Sequence, residues 1–147
     1  MPLDGEYEPS PERWVRDQVA TYEASGGTEA TTLPGRPDWP IVVITSRGAR
    51  SGKLRKNPVM RVEHDGVYAA VASKGGAPDH PTWYFNFLAN PEVELQDGPT
   101  PHLYRSRVAE GAERAEWWER AVAQFSPYAG YQENTDREIP LFLLERV

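Results

Sequence analysis

Six short runs of apolar and β-branched residues, several separated only by turn-forming residues, constrain the fold of this chain more than any other feature. Ile41-Val42-Val43-Ile44 is followed by a glycine-bounded turn and then by a second run over Leu54–Glu63. His64-Asp65-Gly66 has hairpin chemistry and leads into Val67–Ala72. Asp97-Gly98-Pro99 plays the same part between Glu92–Gln96 and Leu103–Val108, and Leu141–Leu144 closes the set. Parallel neighbours need a crossover of about a dozen residues or more, whereas several of these runs are joined by tight turns and no repeating βαβ alternation appears. The expected class is α+β, mainly β: a barrel or sheet of about six antiparallel strands with helices at its ends.

Three helices are expected, one before the first strand and two between later strands. Ser10 is a good N-cap, Pro11 suits the first helical position and Gly26-Gly27 stops the run, with Trp14, Val15, Gln18, Val19 and Tyr22 on one face. Pro81 starts a short helix over Thr82–Ala89 that Asn90-Pro91 ends. A third places Ala115, Trp118, Ala121, Val122 and Phe125 on one stripe and stops at Ser126-Pro127. Tyr128-Ala129-Gly130-Tyr131 then reads as an irregular loop.

With 147 residues the chain makes one domain, residues 1–40 forming an N-terminal helix and connecting loop and residues 41–147 the strand-rich body. Met1–Pro9 is acidic and proline-containing, which predicts disorder or a course draped over the surface. The absence of cysteine excludes disulfides, thiolate metal sites and thiol nucleophiles. Three scattered histidines, His64, His80 and His102, do not suggest a metal site. No apolar run has membrane-spanning length and the first residues lack signal-peptide pattern, so a soluble cytoplasmic protein is expected.

The formal net charge is -6, yet Arg47, Arg50, Lys53, Arg55 and Lys56 stand within ten residues. Gly48 and Gly52 let the backbone turn tightly there, and Ser51 adds a hydroxyl, the makings of a cradle for phosphate or carboxylate. A solvated hairpin tip explains the same charges equally well. Ser73-Lys74-Gly75-Gly76-Ala77-Pro78 forms a second small loop with a hydroxyl and an ammonium, either a binding loop or an ordinary connection. Trp83, Tyr84, Phe85 and Phe87 point in too many directions for one helix face, so some line core and some a pocket wall.

Several of these segments together resemble the deazaflavin-dependent nitroreductase family over about Ile41 to Val147. The matching pieces are Gly48-Ala49-Arg50-Ser51-Gly52 with Arg55 and Pro58, then Ala72 to Pro78, then His80-Pro81 with Trp83, Tyr84 and Asn86, then Ala89-Asn90-Pro91. The resemblance implies a split β-barrel that binds reduced coenzyme F420, a deazaflavin with a phosphate and an oligoglutamate tail, and passes hydride to an acceptor. It implies that Ala49, Arg50, Ser51 and Arg55 hold the phosphate and that Lys56, Asn57, Pro58, Val59 and Met60 run along the cofactor, while charge alone directs Lys53 towards the tail carboxylates. Val71, Ala72, Ser73 and Lys74 would contact the ring, with Thr82, Trp83, Tyr84, Phe85 and Asn86 alongside. Tyr128 would touch both cofactor and acceptor, Met60, Phe125 and Tyr131 would line the acceptor pocket, and Tyr128 or Ser73 would donate a hydrogen bond or proton. No metal is required.

The family pattern usually has a polar residue at Ala49 and often tyrosines at Met60 and Phe125, so this pocket is expected to be more apolar. That favours quinones or conjugated enones over nitroaromatic compounds. Three other readings compete: an FMN-dependent split-barrel oxidoreductase, a non-catalytic fatty-acid or haem carrier, and, weakest for an acidic chain, a nucleic-acid binder. A monomer or weak dimer is expected. The Trp14 helix is a candidate lid, or a peripheral contact with the inner face of the membrane should the acceptor be a lipid quinone.

Overall fold

The computed structural model describes residues 3–147; Met1 and Pro2, part of the expected acidic tail, lie outside the described residues. Its secondary structure is α1 (Arg13–Ala24), β1 (Ile41–Arg47), β2 (Leu54–Met60), β3 (Val62–His64), β4 (Val67–Val71), α2 (Thr82–Ala89), β5 (Glu92–Gln96), β6 (Pro101–Val108), α3 (Gly111–Gln124), α4 (Pro127–Glu133) and β7 (Leu141–Arg146). A single 3-10 turn, Lys74–Gly76, precedes α2.

The strands form one sheet in the order β2-β1-β5-β6-β7-β4-β3, and every neighbouring pair is antiparallel. Its two edge strands, β2 and β3, are consecutive in the chain and separated only by Arg61. The sheet must therefore curl until its edges meet, and β2 touches β4 on the far side. This curled half-barrel is the split-barrel architecture. At the junction the Arg61 amide donates to Pro40 O at 2.9 Å, and its guanidinium reaches Asp97 Oδ2 at 2.8 Å.

Alternation along the strands builds two cores rather than one. Ile41 and Val43 of β1, Ala69 and Val71 of β4, and Leu141 and Leu143 of β7 join the residues under α1, α3 and α4. Val42, Ile44, Ala70, Phe142 and Leu144 face the opposite way and pack with Trp83 and Phe87 of α2. Covering both faces explains why Ile41–Ile44 and Leu141–Leu144 are unbroken apolar runs. Tyr22 fixes α1 to this frame: its buried hydroxyl donates to Gln96 O at 3.1 Å and accepts the Gly98 amide at 3.0 Å.

Four expectations change. The run Leu54–Glu63 is two strands, because Arg61 passes the chain from partner β1 to partner β4. Ser126-Pro127 begins a helix as well as ending one: Phe125 departs from helical angles, Pro127 occupies the first turn, and Tyr128 and Tyr131 sit on α4 rather than on a loop. On α3, Trp117 is buried with Ala121 while Ala115 is exposed and Trp118 only partly covered. α1 begins at Arg13, because Ser10 Oγ accepts from the Glu12 amide at 3.1 Å and delays the first turn.

Candidate active site

Three cavities of about 390, 380 and 590 Å³ adjoin one another along β2 and the start of α2. Arg55, Thr82 and Asn86 line both the largest and the middle one. Trp14, Pro58, Lys74, Pro81 and Trp83 line both the middle one and the third. The result is a single groove, polar and cationic at one end and aromatic at the other.

The cationic end is the β1–β2 turn. Its internal bonds run from the Gly48 amide to Lys53 O at 2.7 Å, from Gly52 to Gly48 O at 3.1 Å and from Lys53 to Ser51 Oγ at 3.1 Å. The buried Asn86 of α2 accepts the Ala49 amide at 2.9 Å and so anchors the turn to the helix. Among the described residues the amides of Arg50 and Ser51 bond to nothing, and Arg50 makes no ion pair. Two adjacent N–H groups with an unpaired, exposed guanidinium beside them make a ready anion site. Arg55 also faces the groove, where Glu8 Oε1 lies 2.9 Å from its Nη1.

The aromatic end is lined by Met60, Val59, Val71, Ser73, Lys74, Phe125, Tyr128 and Tyr131, with Trp14, Gln18, Leu33, Ile41 and Gly75. Tyr128 is buried against Phe125, ring centroids 4.8 Å apart, and its hydroxyl makes no hydrogen bond among the described residues. Burial raises its pKa well above that of a free phenol, and neighbouring Tyr131 adds to the effect. This group stays protonated and can donate, but it is a poor base.

Ser73 and Lys74 are presented by a strained loop, Lys74 having φ 47°. A Cβ on Gly76, at φ +82°, would stand 2.8 Å from Tyr131 O, so only glycine lets α4 approach this loop. Arg137 holds the loop from behind. Its guanidinium donates to Ser73 O at 2.7 Å, Ala77 O at 2.9 Å and Ala72 O at 3.2 Å, and to His80 Nδ1 at 3.0 Å. Accepting that bond fixes His80 as the neutral tautomer protonated on Nε2, and burial, then the Arg137 charge, lowers its pKa.

Of the residues expected here, Ala49, Arg50, Ser51, Arg55, Asn57, Pro58, Val59, Met60, Val71, Ser73, Lys74, Thr82, Trp83, Phe85, Asn86, Phe125, Tyr128 and Tyr131 line the groove. Lys56, Ala72 and Tyr84 do not. Lys56 turns to Glu23 of α1 and lies over the Tyr7 ring. Ala72 is fully buried, and Tyr84 packs between His80 and Phe142. Sequence reasoning missed Arg137, whose partners are carbonyls distant in the chain, and it missed Glu8, whose acidic, proline-containing neighbourhood read as a disordered or surface-draped tail. Among the described residues no acidic, histidine or cysteine cluster could hold a metal.

Comparison with known proteins gives one consistent result. A family model described as F420H2-dependent quinone reductase matches residues 14–146. An F420H2-dependent quinone reductase of Mycobacterium tuberculosis is 31% identical over 146 residues, covering 91% of this chain and 97% of that protein. A solved F420-H2 dependent reductase is 55% identical with TM-score 0.69, over 72% of this chain and 94% of that one. A solved domain-swapped dimer is 50% identical with TM-score 0.71, over 92% of this chain and all (100%) of its own.

Proposed function

The chain belongs to the F420H2-dependent quinone reductase family, and from that premise we propose that it is an oxidoreductase that binds reduced coenzyme F420 along the groove and reduces a quinone at the aromatic end. One observation carries the reading: a single continuous groove joins an anion site to an apolar, aromatic-walled pocket. A cofactor with a flat ring at one end and a phosphate at the other needs that combination. The donor set fits it, with the free amides of Arg50 and Ser51 and the forks of Arg50 and Arg55 for the phosphate, and Pro58, Trp83, Val71 and Ser73 for the ring.

When bound, the reduced deazaflavin supplies two electrons as hydride. The chain's own residues bind, orient and exclude water. Arg137 sets the Ser73 carbonyl and hence the loop that would hold the ring end. Phe125, Met60 and Val71 keep the acceptor in an apolar wall, where a hydrogen bond to a developing negative oxygen is strengthened. Tyr128 donates that bond through its hydroxyl, and its raised pKa keeps the proton in place across the neutral range. The apolar walls favour quinones first, conjugated enones next, and nitroaromatic compounds least. An FMN enzyme and a fatty-acid or haem carrier receive no support from the family match.

The test is fluorescence titration with oxidised and reduced F420, FMN as comparator, followed by quinone turnover. Micromolar F420 binding, weaker FMN binding and a loss of about tenfold or more in Arg55→Ala are expected. Failure of the wild type to bind the deazaflavin would sink the reading.

A further inference from the structure

A carboxylate is built into the wall of the anion site. The chain before α1 lies along the exposed edge of β2: the Leu54 amide donates to Glu6 O at 2.7 Å, the Glu8 amide to Leu54 O at 2.9 Å, and Tyr7 bridges Leu54 in parallel register. Arg47 Nη2 reaches Asp4 O at 2.6 Å and ties the strap further back. These backbone bonds fix where Glu8 stands, in the same cavity as Arg50, Ser51 and Arg55. Its Oε1 is 2.9 Å from Arg55 Nη1, while Glu6 Oε2 stands 3.8 Å from Lys53 Nζ.

Covering a bare sheet edge does not require an acid at position 8. A site meant to hold the most highly charged phosphate would leave Arg55 unopposed. We propose that Glu8 is a specificity-determining residue that tunes the anion site to a phosphodiester, with one charge at phosphorus, and against a terminal phosphate monoester, which approaches two. The inference rests on the F420 reading, because the phosphate of F420 is a diester and that of FMN a monoester with a second pKa of about 6.

The physical argument is one of charge. Glu8 and Arg55 are only partly exposed, so their field at the cavity is incompletely screened. Repulsion from a fixed carboxylate scales with the charge of the group placed near it. Glu8 therefore penalises a monoester about twice as strongly, in logarithmic terms, as a diester at the same place.

The experiment compares wild type, Glu8→Gln and Glu8→Asp in titrations with F420, FMN and riboflavin, which lacks the phosphate. Glu8→Gln should raise FMN affinity by about tenfold and F420 affinity by about threefold or less, leaving riboflavin unmoved. Glu8→Asp keeps the charge and should keep the wild-type preference. An unchanged F420-to-FMN ratio in Glu8→Gln, or an equal change for riboflavin, would overturn the proposal and leave Glu8 as packing alone. The FMN and riboflavin arms read Glu8 without the deazaflavin, so loss of F420 binding in the wild type would count against the function and not be confused with this result.

Discussion

Arg137 directs its guanidinium onto three carbonyls and one imidazole nitrogen, all belonging to the segment that presents Ser73 and Lys74. A lysine has one ammonium and cannot span them. Arg137→Lys should therefore lower quinone turnover by about tenfold while increasing amide exchange across Ser73–Ala77. His80 gives this clamp a pH limit. Folding lowers its pKa below the ordinary 6.5, so between that folded value and 6.5 the unfolded chain binds more protons. The contribution to stability is full above pH 6.5 and declines as pH falls through the window beneath it. Thermal midpoints measured from pH 7 to 5 should fall more steeply for wild type than for His80→Asn, and parallel curves would refute the assignment. Tyr128→Phe keeps the packing against Phe125 and removes only the hydroxyl. It should reduce kcat by about 10- to 100-fold with little change in F420 affinity, and wild-type turnover should show no alkaline loss from this phenol near pH 10.

At the scale of elements, sequence and structure part company where a local signal has two meanings. Ile41–Ile44 and Leu141–Leu144 were legible because covering both faces writes itself into the chain as unbroken apolar residues. Arg61 was not, because a strand that changes partners needs no glycine or proline and shows no break in composition. Pro127 can follow one helix or open another, and only packing of α4 on the Ser73 loop decides between them. Turn glycines and cations marked the Arg47–Lys56 segment without deciding between a cradle and a solvated tip, most other groove residues were expected only through the family resemblance, and Lys56 was drawn away by Glu23, a residue on a different element. The contact between the end of α1 and the β5–β6 turn offers a direct check. Gly27 has φ +75°, and a Cβ there would stand 2.3 Å from Gly98 O. Gly27→Ala should cost about 2 kcal/mol or more in denaturant unfolding, mainly by displacing α1. Trp14 should then lose its place at the groove, so quinone turnover should fall together with stability.

For the whole molecule, the salient fact is that one uninterrupted piece of chain, β2-Arg61-β3, supplies both rims of the sheet. Arg61 and Tyr68 converge on Asp97 of the β5–β6 turn, at 2.8 and 2.6 Å, so the junction is tied to the strands at the middle of the sheet. Arg61→Ala leaves Asp97 with one partner fewer and should lower stability by about 1–3 kcal/mol, read from the denaturant midpoint. The same continuity bears on how the chain reaches this state. The hairpins β1–β2 and β3–β4 can form from neighbouring residues, but Ala70 must find Phe142 and Ile44 must find Leu95 before either rim has its inner neighbours. Each of those searches closes a long loop, and the shared residue couples their outcomes. Refolding after a brief unfolding pulse, which leaves the 14 prolines in their native isomers, should accordingly be a single phase in the range of about milliseconds to seconds, with no populated half-sheet on the way.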